Sequence, residues 1–281
     1  MSQVELAPSN RLEILDEGLK RHTLHRRFDR MARLVGDSAM EKLFRARVVV
    51  VGLGGVGSFA AESLARSGVG HLTLVDFDEI CVTNTNRQLH ALAGRIGEKK
   101  AHVVAERLGK VNPQAKILAL DKFYSKETAE EILGDKPDLV LDCIDNLTAK
   151  CNLLATCRER GISVIASGGA SAKEDPLKIK FADLSETHTD PFIHEVRRIL
   201  RQKYGFASDG PMGIPTVFSD ERPSRPFELG YDKGTGFRCV CPQGNDLHSC
   251  EKRAVIYGTA SYVTGAFGLV MAARAVSLLK A

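Results

Sequence analysis

A glycine-rich turn carries the clearest chemical signal in the sequence. The turn contains four glycines: Gly52, Gly54, Gly55 and Gly57. They follow a run of β-branched residues, Val48–Val51, and precede a segment with helical spacing. Such glycines let backbone N–H groups approach a phosphate at the positive N-terminus of a helix. Asp76 ends the next predicted strand about twenty residues later, where a carboxylate can accept hydrogen bonds from ribose. The spacing predicts a nucleotide site, and it fits NAD as well as ATP.

Charged and amide side chains downstream of the turn discriminate between these nucleotides. They are Asp78, Asn84, Arg87, Lys100 and Asp145. A hydride-transferring enzyme has no use for cations at a pyrophosphate that backbone groups already hold. A nucleotidyl-transferring enzyme needs them, because negative charge builds on a triphosphate under attack. Asp145 follows a predicted strand, at the sheet edge where ligands bind, and its carboxylate can hold magnesium. The residues favour ATP with magnesium and leave an NAD-dependent oxidoreductase as the alternative.

The segments around these residues alternate between strands and helices. Strands are predicted at 48–51, 116–120, 138–143 and 163–166, and helices at 99–110, 126–133 and 149–160. This alternation is typical of a mostly parallel sheet with helices on both faces. We therefore predict an α/β fold with a Rossmann-like sheet, in a single domain over residues 1–281. A helical arm over residues 10–44 precedes the sheet.

The pattern changes after Gly168. A strand near 178–183 and a basic helix at 191–204 are predicted, and residues 205–252 are then rich in Gly and Pro. Because irregular segments of this length usually have a function, we expect a mobile substrate or crossover loop. The uncharged run 254–273 is long enough to cross a bilayer. Its many small residues favour a helix packed in the core or at a subunit contact, so membrane contact is not expected.

The composition limits the classes of function. Hydrophobic residues make up 43% of the 281 residues and charged residues 26%, which excludes a disordered chain or a disulfide scaffold. The net charge is only +4, from 39 Lys and Arg against 35 Asp and Glu. A dedicated duplex binder is far more basic, so DNA is not an expected partner. Seven scattered cysteines, and the lack of an apolar run in residues 1–18, predict a reduced, cytoplasmic protein.

The motifs resemble those of the adenylating enzymes related to ubiquitin-activating enzyme. The resemblance is carried by the GLGGVG turn, the LVDFD strand end, the pair Asn84 and Arg87, and the LDCIDN strand end. It implies that Asp76 contacts ribose and that Gly55 lies against the phosphates. It also implies a triphosphate site that contains Asn84, Arg87 and Lys100, with magnesium linked to Asp145.

The segment Arg27-Phe28-Asp29-Arg30 resembles an R-Y-x-R element that, in this family, reaches the ATP of the other subunit. The resemblance implies a homodimer with composite ATP sites. Each site would take Arg30 from the neighbouring subunit, with Arg33 as a nearby substitute. From the residues alone, a solvated basic helix is the alternative interpretation.

The late cysteines distinguish the branches of the family. The paired CxxC spacing of a structural zinc site is missing from Cys239, Cys241 and Cys250. Zinc is therefore not expected, and we interpret these cysteines as free thiols. This departure argues against the branch that activates ubiquitin-like sulfur-carrier proteins, which stays the alternative function within the family.

Other segments resemble a branch of the family that modifies tRNA. They are residues 81–88, the turn at 167–170, the helix opening Asp190-Pro191 and Val217–Ser219. The resemblance implies ATP-dependent dehydration of threonylcarbamoyladenosine in the anticodon loop, by cyclisation of an acyl-adenylate, with AMP and pyrophosphate as products. The basic helix at 191–204 is then a candidate for contact with tRNA phosphates, or else a solvated face. A cysteine desulfurase or another sulfur-acceptor system is left open as a partner.

Overall fold

A seven-stranded sheet forms the centre of the fold. The computed structural model describes residues 26–229 and 256–281. The strands are β1 Arg47–Val51, β2 His71–Val75, β3 Lys116–Leu120, β4 Leu139–Asp142, β5 Val164–Ser167, β6 Ile179–Asp183 and β7 Pro215–Ser219. Their spatial order is β3-β2-β1-β4-β5-β7-β6, and the neighbouring pairs are parallel except β6 with β7. The predicted α/β fold with a mostly parallel sheet is confirmed.

Helices cover both faces of the sheet. They are α1 Asp29–Val35, α2 Asp37–Arg45, α3 Gly57–Arg66, α4 Lys100–Val111, α5 Ala129–Leu133, α6 Leu147–Arg160, α7 Pro191–Lys203 and α8 Ser261–Leu279. The valines of β1 show why both faces are needed. Val48 and Val50 belong to a core cluster with α3, α4 and α8, whereas Val49 and Val51 belong to a second cluster with α6 and α7. Successive side chains of a strand point to opposite faces, so a continuous apolar strand must be covered twice.

The last helix begins several residues after the start of the uncharged run 254–273. Helix α8 begins at Ser261, and residues 256–260 before it are not helical. Two contacts hold these residues in an irregular conformation. The Gly258 carbonyl accepts from the Ala172 amide at 2.8 Å, and the Thr259 carbonyl accepts from the Asn86 side chain at 2.9 Å.

Small residues of α8 allow it to pack closely against α3. A Cβ atom on Gly268 would lie 2.3 Å from the Val56 carbonyl oxygen, and one on Gly265 would lie 3.1 Å from the Phe59 ring. By length and composition, Ser261–Leu279 is the single helix among the described residues that is apolar enough to cross a membrane. Half of its apolar window is buried inside the fold, as in the core helix of a globular domain.

Strand β7 lies inside the segment 205–252, which the sequence predicts to be a loop. Its five residues pair with β5 on one side and with β6 on the other. Residues 10–25 of the predicted arm, and the predicted loop from residue 230, lie outside the described residues, as do Cys239, Cys241 and Cys250. The mobility of that loop therefore stays a prediction.

Candidate functional site

The glycine turn closes between β1 and α3 because two positions tolerate no side chain. Gly52 has φ of +90°, and a Cβ atom on it would lie 2.8 Å from the Cys143 carbonyl oxygen. A Cβ atom on Gly57 would overlap the Gly52 carbonyl oxygen at 1.8 Å. Both positions therefore require glycine, Gly52 because a side chain is strained at a positive φ and Gly57 because there is no space for a Cβ atom. The result is a tight turn that brings backbone N–H groups to the N-terminus of α3, where a phosphate is favoured.

Asp76 holds this turn from the end of β2. Its carboxylate accepts a hydrogen bond from the Leu53 amide at 2.6 Å and another from the Asp78 amide at 2.9 Å. Burial raises the pKa of Asp76, and the Lys100 ammonium opposes the shift only in part. Two backbone donors and one lysine thus hold the carboxylate at the edge of the turn.

Lys100 is a buried cation close to Asp76 and Asp78, the two aspartates that follow β2. Its Nζ lies 2.7 Å from Asp78 Oδ2, and its side chain is 6% exposed. Burial by itself lowers the pKa of Lys100, but the carboxylates of Asp76 and Asp78 outweigh it and the pKa is raised. Asp145 contributes to the same effect, so its carboxylate lies within electrostatic reach of Lys100. The lysine is therefore charged at neutral pH and lies beside the glycine turn.

The loop over residues 81–91 brings further polar groups to the turn. Asn84 is buried and uses its Oδ1 to accept from the Cys81 amide at 3.0 Å. The Arg87 guanidinium donates to the Thr83 carbonyl and to Asn86 Oδ1, so it folds back on its own loop. Both of these hydrogen bonds use the same guanidinium nitrogen, Nη1.

Gln88 and His90 are two side chains that the sequence did not single out as site residues. Gln88 is 7% exposed, its Oε1 has no hydrogen-bond partner in residues 26–229 and 256–281, and its Nε2 lies beside Gly54. His90 is 1% exposed, and both its ring nitrogens are unpaired within the same ranges. Burial, with the nearby Lys100 and Arg107 cations, lowers the pKa of His90 to about 3, so the ring is neutral. Their position in the segment directly after Arg87 is the one signal that could have marked them.

Asp145 extends from the turn between β4 and α6. It is exposed, and its carboxylate makes no hydrogen bond or ion pair with any described residue. No group of three or more metal-binding side chains occurs in the parts of the chain that the structure describes. Magnesium is commonly bound by one or two carboxylates together with nucleotide phosphates. A free carboxylate next to the glycine turn fits a magnesium ion that enters with ATP.

Arg30 and Arg33 lie away from the glycine turn. Phe28, just before α1, is buried against the Phe44 ring, with 5.6 Å between the ring centroids. Arg27 donates to the carbonyl of Val111, the last residue of α4. Lys100 begins that helix, and a helix of 12 residues is about 18 Å long. The structure therefore brings the other predicted site residues to the carboxyl ends of β1, β2 and β4. The arm lies at the opposite, amino ends of these strands.

We call the carboxyl ends of β1, β2 and β4 the glycine edge, and those of β5 and β7 the Lys173 edge. Lys173 is 1% exposed, donates to the Gly169 carbonyl and lies 3.8 Å from Asp190 Oδ2. Asp190 in turn accepts from the Gly169 amide at 2.7 Å and caps α7. Burial lowers the pKa of Lys173, and the nearby carboxylates oppose the shift only in part. This buried pair fixes the turn after β5.

The predicted basic face of α7 is largely engaged in contacts within the fold. Arg197 donates to the carbonyl oxygens of Leu184 and Thr187. Arg198 forms an ion pair with Glu195 at 2.7 Å on the same helix. These contacts leave fewer free cations for RNA phosphates than the sequence suggests.

Comparisons with known proteins place these features in context. The sequence profile of the ThiF family matches residues 28–281. The chain is similar to tRNA threonylcarbamoyladenosine dehydratase of Escherichia coli strain K12, with 37% identity over 257 residues, 91% of this chain and 94% of that protein. The chain is also similar to the crystal structure of E. coli TcdA in complex with ATP, with TM-score 0.77 and 34% identity. The match covers 95% of this chain and 96% of the TcdA chain. Molybdopterin-synthase adenylyltransferase of E. coli matches only 50% of this chain, at 33% identity.

Proposed function

This chain belongs to the ThiF family, and we propose that it catalyses the ATP-dependent dehydration of threonylcarbamoyladenosine in tRNA. The observation that carries the proposal is its likeness, over nearly the whole chain, to tRNA threonylcarbamoyladenosine dehydratases, one of which is solved with ATP. A sulfur-carrier activator is the weaker candidate, because the molybdopterin-synthase relative matches half of the chain.

The reaction has two steps. A carboxylate oxygen of the threonyl group attacks the α-phosphorus of ATP, and the bond from that phosphorus to pyrophosphate breaks. The resulting acyl-adenylate contains a reactive carbonyl carbon. The carbamoyl group of the same substrate attacks that carbon, the bond to AMP breaks and a proton leaves the nucleophile. The net change is loss of water from the modified nucleoside, which the conversion of ATP to AMP and pyrophosphate drives.

This chemistry needs no cysteine of the enzyme, because the nucleophile belongs to the substrate. The free cysteines of the described residues, Cys143, Cys151 and Cys157, agree with that view. Burial raises the pKa values of their thiols to about 12, 11 and 12 respectively. A thiol at such a pKa has almost no thiolate at neutral pH and is a poor nucleophile.

Residues of the glycine edge have complementary roles in this proposal. The glycine turn binds the phosphates through backbone N–H groups at the N-terminus of α3, and Asp76 orients the ribose. Lys100 and Arg87 supply the positive charge that the departing pyrophosphate requires. Asp145 holds magnesium, which, when bound with ATP, neutralises charge on the phosphates. The buried and charged state of Lys100 supports its role, since a cation in a site of low dielectric interacts strongly with developing charge.

The arm has a role only if another subunit is present. Arg30 lies at the sheet edge opposite to its own glycine turn, so it cannot complete that site. We infer a homodimer in which Arg30, or Arg33, reaches the ATP of the neighbouring subunit. The exposed positions Tyr262 and Leu269 of α8 offer apolar surface for a subunit contact. The reaction consumes no sulfur, so the proposal does not depend on a sulfur-acceptor partner, and the expected location is the cytoplasm.

Pyrophosphate release tests the proposal. The purified chain is incubated with ATP, magnesium and tRNA that carries threonylcarbamoyladenosine, and the nucleosides are then analysed by mass spectrometry. We expect one pyrophosphate and one AMP for each nucleoside that loses 18 Da, the mass of one water. An unmodified transcript of the same tRNA is the matched control. Release that requires a sulfur-carrier protein, or that occurs equally with the transcript, would contradict the proposal.

A further inference from the structure

A completely buried ion pair lies directly beneath the turn that carries Asp145. Lys150 Nζ is 2.7 Å from Asp142 Oδ2, and both side chains are 0% exposed. The same ammonium lies 3.3 Å from the Asp142 carbonyl oxygen and 5.8 Å from the centroid of the Phe192 ring. No step of the reaction described above uses either residue.

Stability gives a weak reason for such a pair. Removing two charges from water costs several kcal/mol per ion, and the attraction between them often does no more than offset that cost. Replacing a buried pair with well-packed apolar side chains is frequently neutral or stabilising. Most buried neighbours of Lys150 on α6 are apolar, with Cys151, Leu153 and Leu154 all 0% exposed, and Asn152 is the polar exception at 7%. A methionine would therefore suit this environment at least as well as a lysine.

What the pair does fix is the path of the chain from β4 to α6. While one oxygen of Asp142 binds Lys150, the other accepts from the Ile144 amide at 3.1 Å. The side chain of Asn146 closes the other end of this turn by accepting from the Ala149 amide at 3.0 Å. Asp145 lies between these two fixed points, and its carboxylate makes no hydrogen bond or ion pair with residues 26–229 and 256–281. Its position is therefore determined by its neighbours.

The turn also contacts the glycine turn. A Cβ atom on Gly52 would lie only 2.8 Å from the Cys143 carbonyl oxygen, so the two turns are in contact. A shift of the chain between Asp142 and Asn146 would consequently move Asp145 relative to the phosphate site. A single well-defined geometry of this turn is what a metal-binding carboxylate needs, since partners that orient a metal ligand affect affinity strongly.

We propose that Lys150, acting through Asp142, is a positioning residue that sets the geometry of Asp145 for a divalent cation bound with ATP. This inference rests on the proposed function only for the identity of the metal nucleotide. Lys150 touches neither ATP nor substrate in this account. Its effect passes through the Asp142 carboxylate, the Ile144 amide and the backbone of the turn.

The test compares metal binding with stability in one set of variants. The variants are the double substitution Asp142→Leu with Lys150→Met, the single substitutions Asp142→Asn and Lys150→Arg, and the control Leu153→Val. Leu153 is fully buried on the same helix and carries no charge, so its truncation removes packing without affecting the ion pair. Electron paramagnetic resonance measures the binding of Mn²⁺ to each protein with a non-hydrolysable ATP analogue. Thermal unfolding and magnesium-dependent pyrophosphate release are measured in parallel.

We expect the double variant to remain folded and to bind Mn²⁺ about 10-fold more weakly or worse. The Lys150→Arg variant should stay within a few-fold of wild type, because a guanidinium also donates to a carboxylate. The Leu153→Val control should lose some thermal stability and keep wild-type binding of Mn²⁺. Asp142→Asn keeps the shape of the turn but removes one charge, so its affinity should fall between those of the double variant and wild type.

Wild-type binding of Mn²⁺ in a folded double variant would overturn the inference and leave the pair with a structural role alone. If the double variant does not fold, Asp142→Asn decides, and unchanged affinity in that variant would again overturn the inference. The binding measurement needs no tRNA. If the wild-type chain binds metal and ATP but acts on no tRNA, the proposed function is wrong. The Mn²⁺ affinities of the variants can still be compared in that case.

Discussion

The glycine edge and the Lys173 edge both lie at the carboxyl ends of parallel strands, but different residues form them. At the glycine edge, Gly52 provides the left-handed backbone of the turn, and charged side chains surround it. At the Lys173 edge, Ala172 adopts a left-handed conformation with φ of +60°, although it has a side chain. Its amide donates to the Gly258 carbonyl and its carbonyl accepts from the Ser224 amide.

The two edges differ in what they offer, since one presents backbone groups and the other connects distant segments. The glycine edge is free of side chains where a phosphate must approach the backbone. The Lys173 edge joins three chain segments, which follow β5, follow β7 and precede α8, and two backbone hydrogen bonds offset the strain at Ala172. In the proposed function the glycine edge binds ATP, whereas the Lys173 edge connects and fixes the chain. The four predictions below test this division.

The largest effect is expected from Lys100→Ala and Arg87→Ala. Each should lower the rate of pyrophosphate release by an amount that corresponds to about 3 kcal/mol of transition-state stabilisation. Lys100→Ala should also lower the free energy of unfolding, because the buried Asp76 carboxylate and the half-buried Asp78 carboxylate lose their cation. Arg87 is more exposed, so its loss should affect stability less. Kinetics and denaturant unfolding measure both effects, and near-normal turnover in both variants would contradict the assignment of the glycine edge to ATP.

The next largest effect is expected from Asp145→Asn. An amide oxygen is a weaker ligand for magnesium than a carboxylate, and the metal contributes several kcal/mol of charge stabilisation, so turnover should fall by about 30-fold or more. Stability should not change, because Asp145 is exposed. The control is Asp135→Asn, an exposed aspartate at the opposite edge of the sheet. Initial rates over a magnesium titration measure the effect, and a variant with wild-type rates at low magnesium would refute the prediction.

A smaller effect with a distinctive pattern is expected from the arm. The double variant Arg30→Ala with Arg33→Ala should lose about 10-fold in turnover, the usual range for a hydrogen bond to a charged group. Mixing it with a Lys100→Ala subunit should rebuild one intact site in each heterodimer and restore up to about half of the activity per heterodimer. Arg45→Ala, at an exposed arginine directly after the arm, is the control. If mass spectrometry shows exchanged subunits and no activity returns, the arginines do not act across subunits.

The smallest effect concerns the strained alanine of the Lys173 edge. Ala172→Gly should relieve a left-handed conformation that costs an alanine roughly 1–2 kcal/mol. Ala170→Gly, two residues earlier in the same turn and without a positive φ, should only lose stability. The first variant should therefore be more stable than the second by about 1 kcal/mol in denaturant unfolding. Equal free energies of unfolding would mean that the turn stores no strain at Ala172.

Most of the glycine edge was predictable because its signals are local in sequence. The glycine spacing, the aspartate at the end of the next strand and the cations that follow lie within about fifty residues of one another. The parallel order of β1, β2 and β4 then brings their carboxyl ends together. Lys173 and Asp190 gave no comparable signal, since their pairing depends on where α7 packs. Lys150 was hidden for a similar reason, because a lysine on a helix is normally solvated.

The sequence by itself determined the α/β class, the phosphate turn and the set of charged groups around it. The spacing of residues dictates these features through backbone geometry and hydrophobic periodicity. Only the tertiary structure decided which lysines are buried, that Arg30 lies at the edge away from its own turn, and that α8 begins at Ser261. Those features depend on contacts between segments far apart in the chain, such as Ala172 with Gly258 and Arg27 with Val111. Burial and distance arise when such segments pack, and no local pattern encodes them.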